Sequence, residues 1–218
     1  MGAARRKARG RGARAKLRAA AKLDELADRC EKVAHQIKQR VGGEKICDRL
    51  ISLSDPDARP IGKGKLGKPN EFGYVAQIAE LTANTKSGAR GLILPAASLP
   101  GNPGENQLLP QTVGELQRLG LSPKEIALDG GFAAGSTTEQ LEDLQPDRVF
   151  ISGRQQPGSR RTQRRLQRYR TGAEGRISHL KRGYGMRRSR LKGDEGQKTW
   201  TGWGILAYNL DTLTIRTT

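Results

Sequence analysis

The chain has 218 residues and a strongly basic composition, with 40 Lys and Arg against 22 Asp and Glu. Its net charge of +18 favours polyanionic partners, above all nucleic acid, although a ribosomal-type RNA binder or a merely basic soluble protein would share this composition. With 34% hydrophobic and 4% aromatic residues the chain is too polar to bury all of itself, so we expect one domain and an exposed arm.

Cysteines, histidines and apolar runs exclude several other classes of protein. Cys30 and Cys47 form no CxxC pair, and His35 and His179 are the only histidines, so neither a disulfide framework nor a zinc site is predicted. No apolar run approaches the roughly 18 residues that span a bilayer, and the N-terminus lacks the apolar core of a signal peptide. We therefore expect a soluble protein of a reducing cytoplasm with no membrane partner.

The first stretch, MGAARRKARGRGARAKLR, is rich in Arg and Ala and contains no acid. An organellar transit peptide has a similar composition, but the absence of Ser and the direct run into a helix favour a DNA-contacting arm. From Leu17 to Val41, apolar residues at alternating spacings of four and three predict a helix, which Gly42 and Gly43 end. Its narrow apolar stripe suits a solvated helix docked along one edge or a short coiled coil, and we assign it no chemistry.

After Arg49 the sequence pattern changes to short runs of residues that favour β-strands, separated by Gly and Pro. Three neighbouring strands, arranged as a meander, are predicted at LISLS, FGYVAQIAE and GLILPAA, with an exposed basic loop at DPDARPIGKGKLGKPNE. The next segments predict an apolar helix, a strand at EIALD, a helix at STTEQLEDLQ, a strand at RVFIS and a closing helix at TWTGWGILAYNLDTL. The order β-β-β-α-β-α-β-α predicts an α/β domain with a mixed sheet, flanking helices and parallel later strands.

Asp129 is the first candidate for chemistry, because it ends the apolar strand IALD just before Gly130 and Gly131. In an open α/β sheet, functional groups collect at the carboxyl ends of the strands, where they face a ligand. Asp before Gly is also ordinary turn chemistry. The residues alone leave both interpretations open.

The second candidate site lies on a predicted helix around RYRTGAEGRISHLKRGYG. Arg170, Glu174 and Lys181 are separated by four and seven residues, which places them on one helix face. Glu174 is the only acid between Asp147 and Asp194, in a stretch crowded with Arg, and a solitary carboxylate there suits a metal ion beside phosphates. An intrahelical Arg170–Glu174 salt bridge, worth roughly a few tenths of a kcal/mol, explains the same spacing.

Taken together, DPDARPIGKGKLGKPNEFGY, LDGGF, AEGRISHLKRGYG and WTGWGILAYNL resemble the C-terminal two-thirds or so of DDE transposases of bacterial insertion sequences. The resemblance implies an RNase H-like catalytic domain, which agrees with the predicted element order. In such enzymes three carboxylates bind two Mg²⁺ (or Mn²⁺) ions, which activate water or a DNA 3′-hydroxyl and stabilise the leaving oxygen at phosphate. By this resemblance Asp129 takes the place of the second carboxylate and Glu174 that of the third, both as catalytic residues and metal ligands.

The family signature around the last carboxylate is Tyr, two residues, Arg, three residues, Glu, six residues, Lys. Arg170, Glu174 and Lys181 match it, whereas Gln167 occupies the tyrosine position and a tyrosine, Tyr169, follows two residues later. The resemblance further implies that cations of this helix bind DNA phosphates. The residues assigned to that role are Arg170, Arg176, Lys181 and Arg182.

In this family the first carboxylate lies on an opening strand that precedes a long, charged helical insertion, and the resemblance implies that the chain begins inside that insertion. We therefore predict a basic helical arm at 1–47, as a remnant of the insertion, and a catalytic domain at 48–218 that lacks its first strand and first aspartate. Asp55 and Asp57 are the only acids near an early strand end and thus the only candidates for a substitute. Gly130 also stands where many relatives carry a basic residue.

The leading functional hypothesis is a DDE transposase, in truncated form, that cuts insertion-sequence ends and joins them to target DNA in the nucleoid of a bacterial cytoplasm. Its partner would be double-stranded DNA, and pairing of two ends would call for a homodimer, although the sequence identifies no interface. The alternatives are a catalytically dead DNA-binding remnant and a nuclease of the same fold without strand transfer.

Overall fold

The computed structural model describes residues 12–62, 67, 69–83, 91–154 and 158–217. The chain divides into two compact units, Met1–Arg59 and Pro60–Thr218. The first eleven residues of the predicted arm, and part of the predicted basic loop, lie outside the described residues. The predicted division at residue 47 stays a prediction.

The first unit is built on one long helix, α1 (Ala13–Val41), which confirms the helix predicted from the apolar spacing. The predicted strand LISLS is wrong, because residues 50–54 form no strand. The Gln36 side chain forms hydrogen bonds with both backbone groups of Leu50. Its amide nitrogen donates to the Leu50 carbonyl at 3.2 Å, and its amide oxygen accepts from the Leu50 N–H at 2.7 Å. Arg29 similarly donates to the Leu53 carbonyl at 3.1 Å. Side chains of α1 thus satisfy backbone groups that a strand would have offered to a neighbour.

The remaining elements alternate between short strands and helices, with the long helices at the end of the chain. In chain order they are β1 (Arg59–Ile61), β2 (Glu71–Gln77), β3 (Glu80–Leu81), β4 (Leu92–Ile93), β5 (Ala97–Pro100), α2 (Glu105–Arg118), β6 (Glu125–Leu128), α3 (Ala134–Gln140), a 3-10 turn (Glu142–Leu144), β7 (Arg148–Ile151), α4 (Arg160–Gly183) and α5 (Gly193–Thr217).

The strands of the described residues form three small sheets in place of the single mixed sheet that was predicted. Their orders are β1-β2-β5, β3-β4 and β6-β7. The predicted run GLILPAA is divided between β4, which pairs with β3, and β5, which pairs antiparallel with β2. Pro95 stands between these two strands and has no N–H to donate, which is one reason for the interruption. The mixed α/β class is confirmed, whereas the strands that the structure describes do not join into one continuous sheet.

The pair β6-β7 is the part of the fold that positions the candidate site. It is parallel, as predicted for the later strands, with Glu125 opposite Arg148 and Leu128 opposite Ile151. Helix α4 packs against both strands. The carboxyl ends of β6 and β7 therefore open at the same edge, beside α4.

Two apolar clusters hold the second unit together. The larger one joins α2, α3, β6 and β7 through buried side chains that include Leu109, Leu116, Phe132 and Ile151. The smaller one joins β4, α4 and α5 and consists of Ile93, Leu180, Ile205 and Tyr208. Helix α4 is held by Leu180 in the smaller cluster and also packs against β6 and β7.

Helix α4 begins at a side-chain cap and ends with cations. The Ser159 hydroxyl accepts a hydrogen bond from the Thr162 N–H at 3.2 Å, and Lys181 and Arg182 occupy the last turn, where positive charge complements the helix dipole. Within the described residues, no helix combines the length and apolar character that a membrane crossing needs.

Candidate active site

Asp129 lies at the carboxyl end of β6, where the sequence places it. Its side chain is 62% exposed and Oδ1 accepts a hydrogen bond from the Gly130 N–H at 2.7 Å. The backbone carbonyl of Asp129 accepts from the Phe132 N–H at 3.4 Å, which closes a tight turn. Asp129 therefore stabilises a turn and at the same time exposes its carboxylate to solvent.

The turn after Asp129 is anchored on three sides. Phe132 is buried in the larger apolar cluster, and Arg154 donates to its carbonyl at 3.1 Å. The side-chain oxygen of Asn106, in α2, accepts from the Ala133 N–H at 2.8 Å. The position of the Asp129 carboxylate is consequently set by packing against α2 and by the loop that follows β7.

Two glycines of this turn lie close to neighbouring residues. A Cβ at Gly130 would lie 3.1 Å from the Ser152 carbonyl oxygen, and one at Gly131 would lie 2.9 Å from Cγ of Glu105. A side chain at Gly131 would thus push against α2. A side chain at the Gly130 position would require the Ser152 carbonyl to shift slightly.

Arg170 joins the two predicted carboxylates. Its Nη1 donates to Asp129 Oδ1 at 3.1 Å and to Glu174 Oε1 at 2.9 Å. The Arg170 side chain is only 15% exposed, whereas that of Glu174 is 56% exposed. The Nε atom of Arg170 is buried and has no hydrogen-bond partner in the part of the chain that the structure describes. The intrahelical pair and the bridge to Asp129 are thus made by the same nitrogen.

Glu105, the first residue of α2, is a third carboxylate near Asp129. Partial burial and the negative charge of Asp129 raise the pKa of Glu105 above its usual range. The sequence carries no signal for this proximity, since an acid in the first turn of a helix is common N-terminal chemistry.

A family model of the transposase DDE domain matches residues 64–210, which are 147 of the 218 residues. The chain belongs to this transposase family. The resemblance inferred from the motifs is confirmed, and the matched range contains Asp129, Arg170 and Glu174. No curated protein and no solved structure matches the chain.

The other predicted DNA-binding residues of the transposase domain differ in their surroundings. Lys181 and Arg182 are exposed on the last turn of α4. Arg176 instead pairs through Nε with Glu80 Oε1 at 3.2 Å, and the Glu80 side chain is 3% exposed. The Tyr169 hydroxyl donates to the Glu80 carbonyl at 3.0 Å, and burial raises the pKa of this tyrosine. Arg176 therefore has a structural partner, and its contact with DNA stays a prediction.

Gln167, at the position of the family's tyrosine, accepts a hydrogen bond from the Ser152 hydroxyl at 3.1 Å. This contact ties α4 to the end of β7, next to the Asp129 turn. Asp55 and Asp57 belong to the first unit. That either of them replaces the first carboxylate of the transposase also stays a prediction.

The carboxylate pair fits a divalent cation in its donor chemistry. Asp129 and Glu174 each direct one oxygen toward the same cationic nitrogen, and carboxylate oxygens are the ligands that Mg²⁺ prefers. Within the described residues, no three His, Cys, Asp or Glu side chains are close enough together to hold a metal ion. The two carboxylates suit one ion, and a pair of ions would need a further ligand.

Proposed function

We propose that this chain is a DDE transposase that cleaves DNA at insertion-sequence ends and joins the freed ends to target DNA. The observation that carries the proposal is the shared contact of Asp129 and Glu174 with Arg170 Nη1. It brings two carboxylates from different elements to one point on the surface of a domain whose family cuts DNA with divalent metal ions.

In the cleavage step, the oxygen of a water molecule forms a bond to phosphorus and the bond from phosphorus to the 3′ oxygen breaks, which leaves a free 3′-hydroxyl. In the joining step this hydroxyl oxygen attacks a target phosphodiester and displaces the target's own 3′ oxygen. In both steps the attacking oxygen gives its proton to solvent, and the leaving 3′ oxygen takes a proton from solvent. A divalent ion, when bound, neutralises the charge that develops on the phosphate oxygens. Asp129 and Glu174 would hold that ion.

Arg170 has a second part in this proposal. When the carboxylates engage a metal ion, its guanidinium loses two acceptors and retains donors that match a phosphate oxygen. The side chain is held in place by burial, so it stays at the site. It would then orient the phosphate that is to be cut.

The first prediction concerns the two carboxylates. A duplex with the element's terminal repeats should be nicked in the presence of Mg²⁺ or Mn²⁺, and Asp129→Asn or Glu174→Gln should slow nicking at least about 100-fold, because each change removes a charged metal ligand. Gel analysis of end-labelled DNA measures the rate.

Glu195→Gln is the matched control, since this carboxylate is 89% exposed on α5 and pairs only locally with Lys198. Its nicking rate should equal that of the wild type. Unchanged nicking in both site variants would refute the assignment of Asp129 and Glu174.

A second candidate function is a DNA-binding remnant without catalysis. It is favoured by the absence of a third metal-ligating carboxylate at the site within the described residues. It predicts salt-sensitive DNA binding that requires no metal. The products separate all alternatives: strand transfer yields joined DNA, a nuclease yields only nicks, and a remnant yields neither.

A further inference from the structure

A charged cavity lies at the amino ends of β6 and β7, the edge opposite to Asp129. It has a volume of about 1040 Å³ and is bordered by the start of both strands and by the first two turns of α4. We call it the basic cleft and define it by Lys124, Glu125, Arg148, Arg161, Arg165 and Arg168. At roughly 3.3 Å per residue, the length of β6 separates Glu125 from Asp129 by about 13 Å.

The lining of the basic cleft is strongly positive. Five cationic side chains face two carboxylates, Glu125 and Asp147, which leaves a net charge of three positive units. Glu125 is held by Arg148 at 2.6 Å and by both terminal nitrogens of Arg165 at 2.7 Å. Lys124, Arg161 and Arg168 are exposed and pair with no carboxylate of the described chain. They are therefore available to an anion from outside.

The basic cleft and the candidate active site lie on opposite flanks of α4. Arg161, Arg165 and Arg168 are spaced by four and three residues and so share one face of the helix. Glu174 follows Arg165 by nine residues, which at 3.6 residues per turn rotates it by about 180°. The flank with Arg170 and Glu174 consequently faces away from the cleft, and the two sites share no residue.

The chemistry of the lining selects for phosphate. Guanidinium forks match phosphate oxygens, and the hydroxyls of Thr82, Ser122 and Thr162 add neutral donors. No aromatic side chain is among the described residues that line the cleft, so nothing there would stack on a base. A backbone of repeated phosphodiesters fits this lining better than a free nucleotide does.

We propose that the basic cleft binds the sugar–phosphate backbone of duplex DNA, at a second site distinct from the one where strands are cut. The cleft and the site around Asp129 and Glu174 share no residue, so the contacts of either one can be removed without changing the residues of the other. The proposal rests on the proposed function only in the choice of DNA as the polyanion.

The test removes the two exposed arginines of α4 from the full chain, as Arg161→Gln together with Arg168→Gln. Fluorescence anisotropy of a labelled 30-base-pair duplex without terminal repeats gives the binding constant over a range of salt concentrations. Loss of two phosphate contacts should make the slope of log K against log salt shallower by about 1.8, since each contact contributes about 0.9. Circular dichroism of the variant should match that of the wild type, because both side chains are exposed.

The matched control is Arg118→Gln with Lys198→Gln, which removes the same number of positive charges. Both side chains are exposed and each is paired within its own helix, Arg118 with Glu115 and Lys198 with Asp194. The slope for this control should stay at the wild-type value. The proposal is overturned if both double variants change the slope equally, or if the cleft variant does not change it. It is also overturned if the cleft variant weakens binding of duplex RNA but not of duplex DNA.

The outcome for the cleft is separable from the outcome for catalysis. Asp129→Asn should slow nicking at least about 100-fold and leave the cleft-dependent slope in place. If the wild type cuts no DNA, the proposed function fails while the slope still tests the cleft. If nicking depends on Asp129 but the salt slope is unchanged when Arg161 and Arg168 are replaced, only the cleft proposal fails.

Discussion

Arg170 occupies the position between two carboxylates that a metal ion would also seek. A guanidinium and a divalent ion are competitors for the same oxygens, because both are cations attracted by Asp129 and Glu174. The competition is modest, since both carboxylates are more than half exposed and exposed ion pairs are weak. Binding of a metal ion at the proposed site would therefore be an exchange of one cation for another.

This competition predicts opposite effects of Arg170→Gln on binding and on catalysis. Affinity for Mn²⁺ should rise about two- to fivefold, the ratio that corresponds to the ~0.5–1 kcal/mol of an exposed pair. DNA nicking should fall, because the phosphate-orienting donor is lost. Electron paramagnetic resonance of free Mn²⁺ measures the affinity, and Arg118→Gln serves as the control of equal charge. Equal or weaker Mn²⁺ affinity in Arg170→Gln would contradict the competition.

The residues of the site differ in how far the sequence predicts them. Asp129 is found by its position after an apolar strand, and Glu174 by its spacing from Arg170 and Lys181, since these patterns are local. The contact of Arg170 with Asp129 and the approach of Glu105 depend on how α2 and α4 pack around the β6-β7 edge. No local spacing encodes that packing, so the motif resemblance predicts the residues but not the contact between Arg170 and Asp129.

At the scale of elements, Glu125 ties β6, β7 and α4 together. Its carboxylate accepts from Arg148 and from both terminal nitrogens of Arg165, and its side chain is 21% exposed. Hydrogen bonding to Arg165, followed by that to Arg148, lowers the pKa of Glu125 below its usual range. A carboxylate with a depressed pKa stabilises the fold above the pKa it has in the unfolded chain.

Glu125→Gln should lower the free energy of unfolding at pH 7 by about 1–2 kcal/mol, between the values for exposed ion pairs and for charged hydrogen bonds. The difference from wild type should shrink as the pH falls below about 4 and Glu125 becomes protonated. Urea unfolding at a series of pH values measures it. A difference that is constant down to pH 3 would show that the charge of Glu125 plays no part.

The elements themselves were predicted best where one periodicity dominates. Helix α1 and the strands β6 and β7 follow from apolar spacing alone, and the parallel pairing follows from the helix between those strands. The strand LISLS failed because Gln36 and Arg29 of α1 satisfy its backbone groups. These contacts join residues that are 14 or more positions apart in the chain. A local sequence pattern therefore cannot predict them.

At the scale of the second unit, the smaller apolar cluster holds α4 against α5. Leu180 is 1% exposed at its centre, so Leu180→Ala should lower the free energy of unfolding by about 2–5 kcal/mol through lost burial and a residual cavity. Leu210→Ala on α5 removes the same atoms from a side chain that is 57% exposed, and should cost less than about 0.5 kcal/mol. Urea unfolding compares them, and equal losses would mean that α4 is not held by this cluster.

The bridge between Arg170 and Asp129 also has a consequence for the order of events during synthesis. The two residues are 41 positions apart, so at about 5–20 residues per second the ribosome adds Arg170 roughly 2–8 seconds after Asp129. Throughout that interval the growing chain carries one carboxylate of the pair and neither its partner nor their linking cation. As the proposed metal ligands, Asp129 and Glu174 would therefore not act together until α4 has been synthesised and has docked.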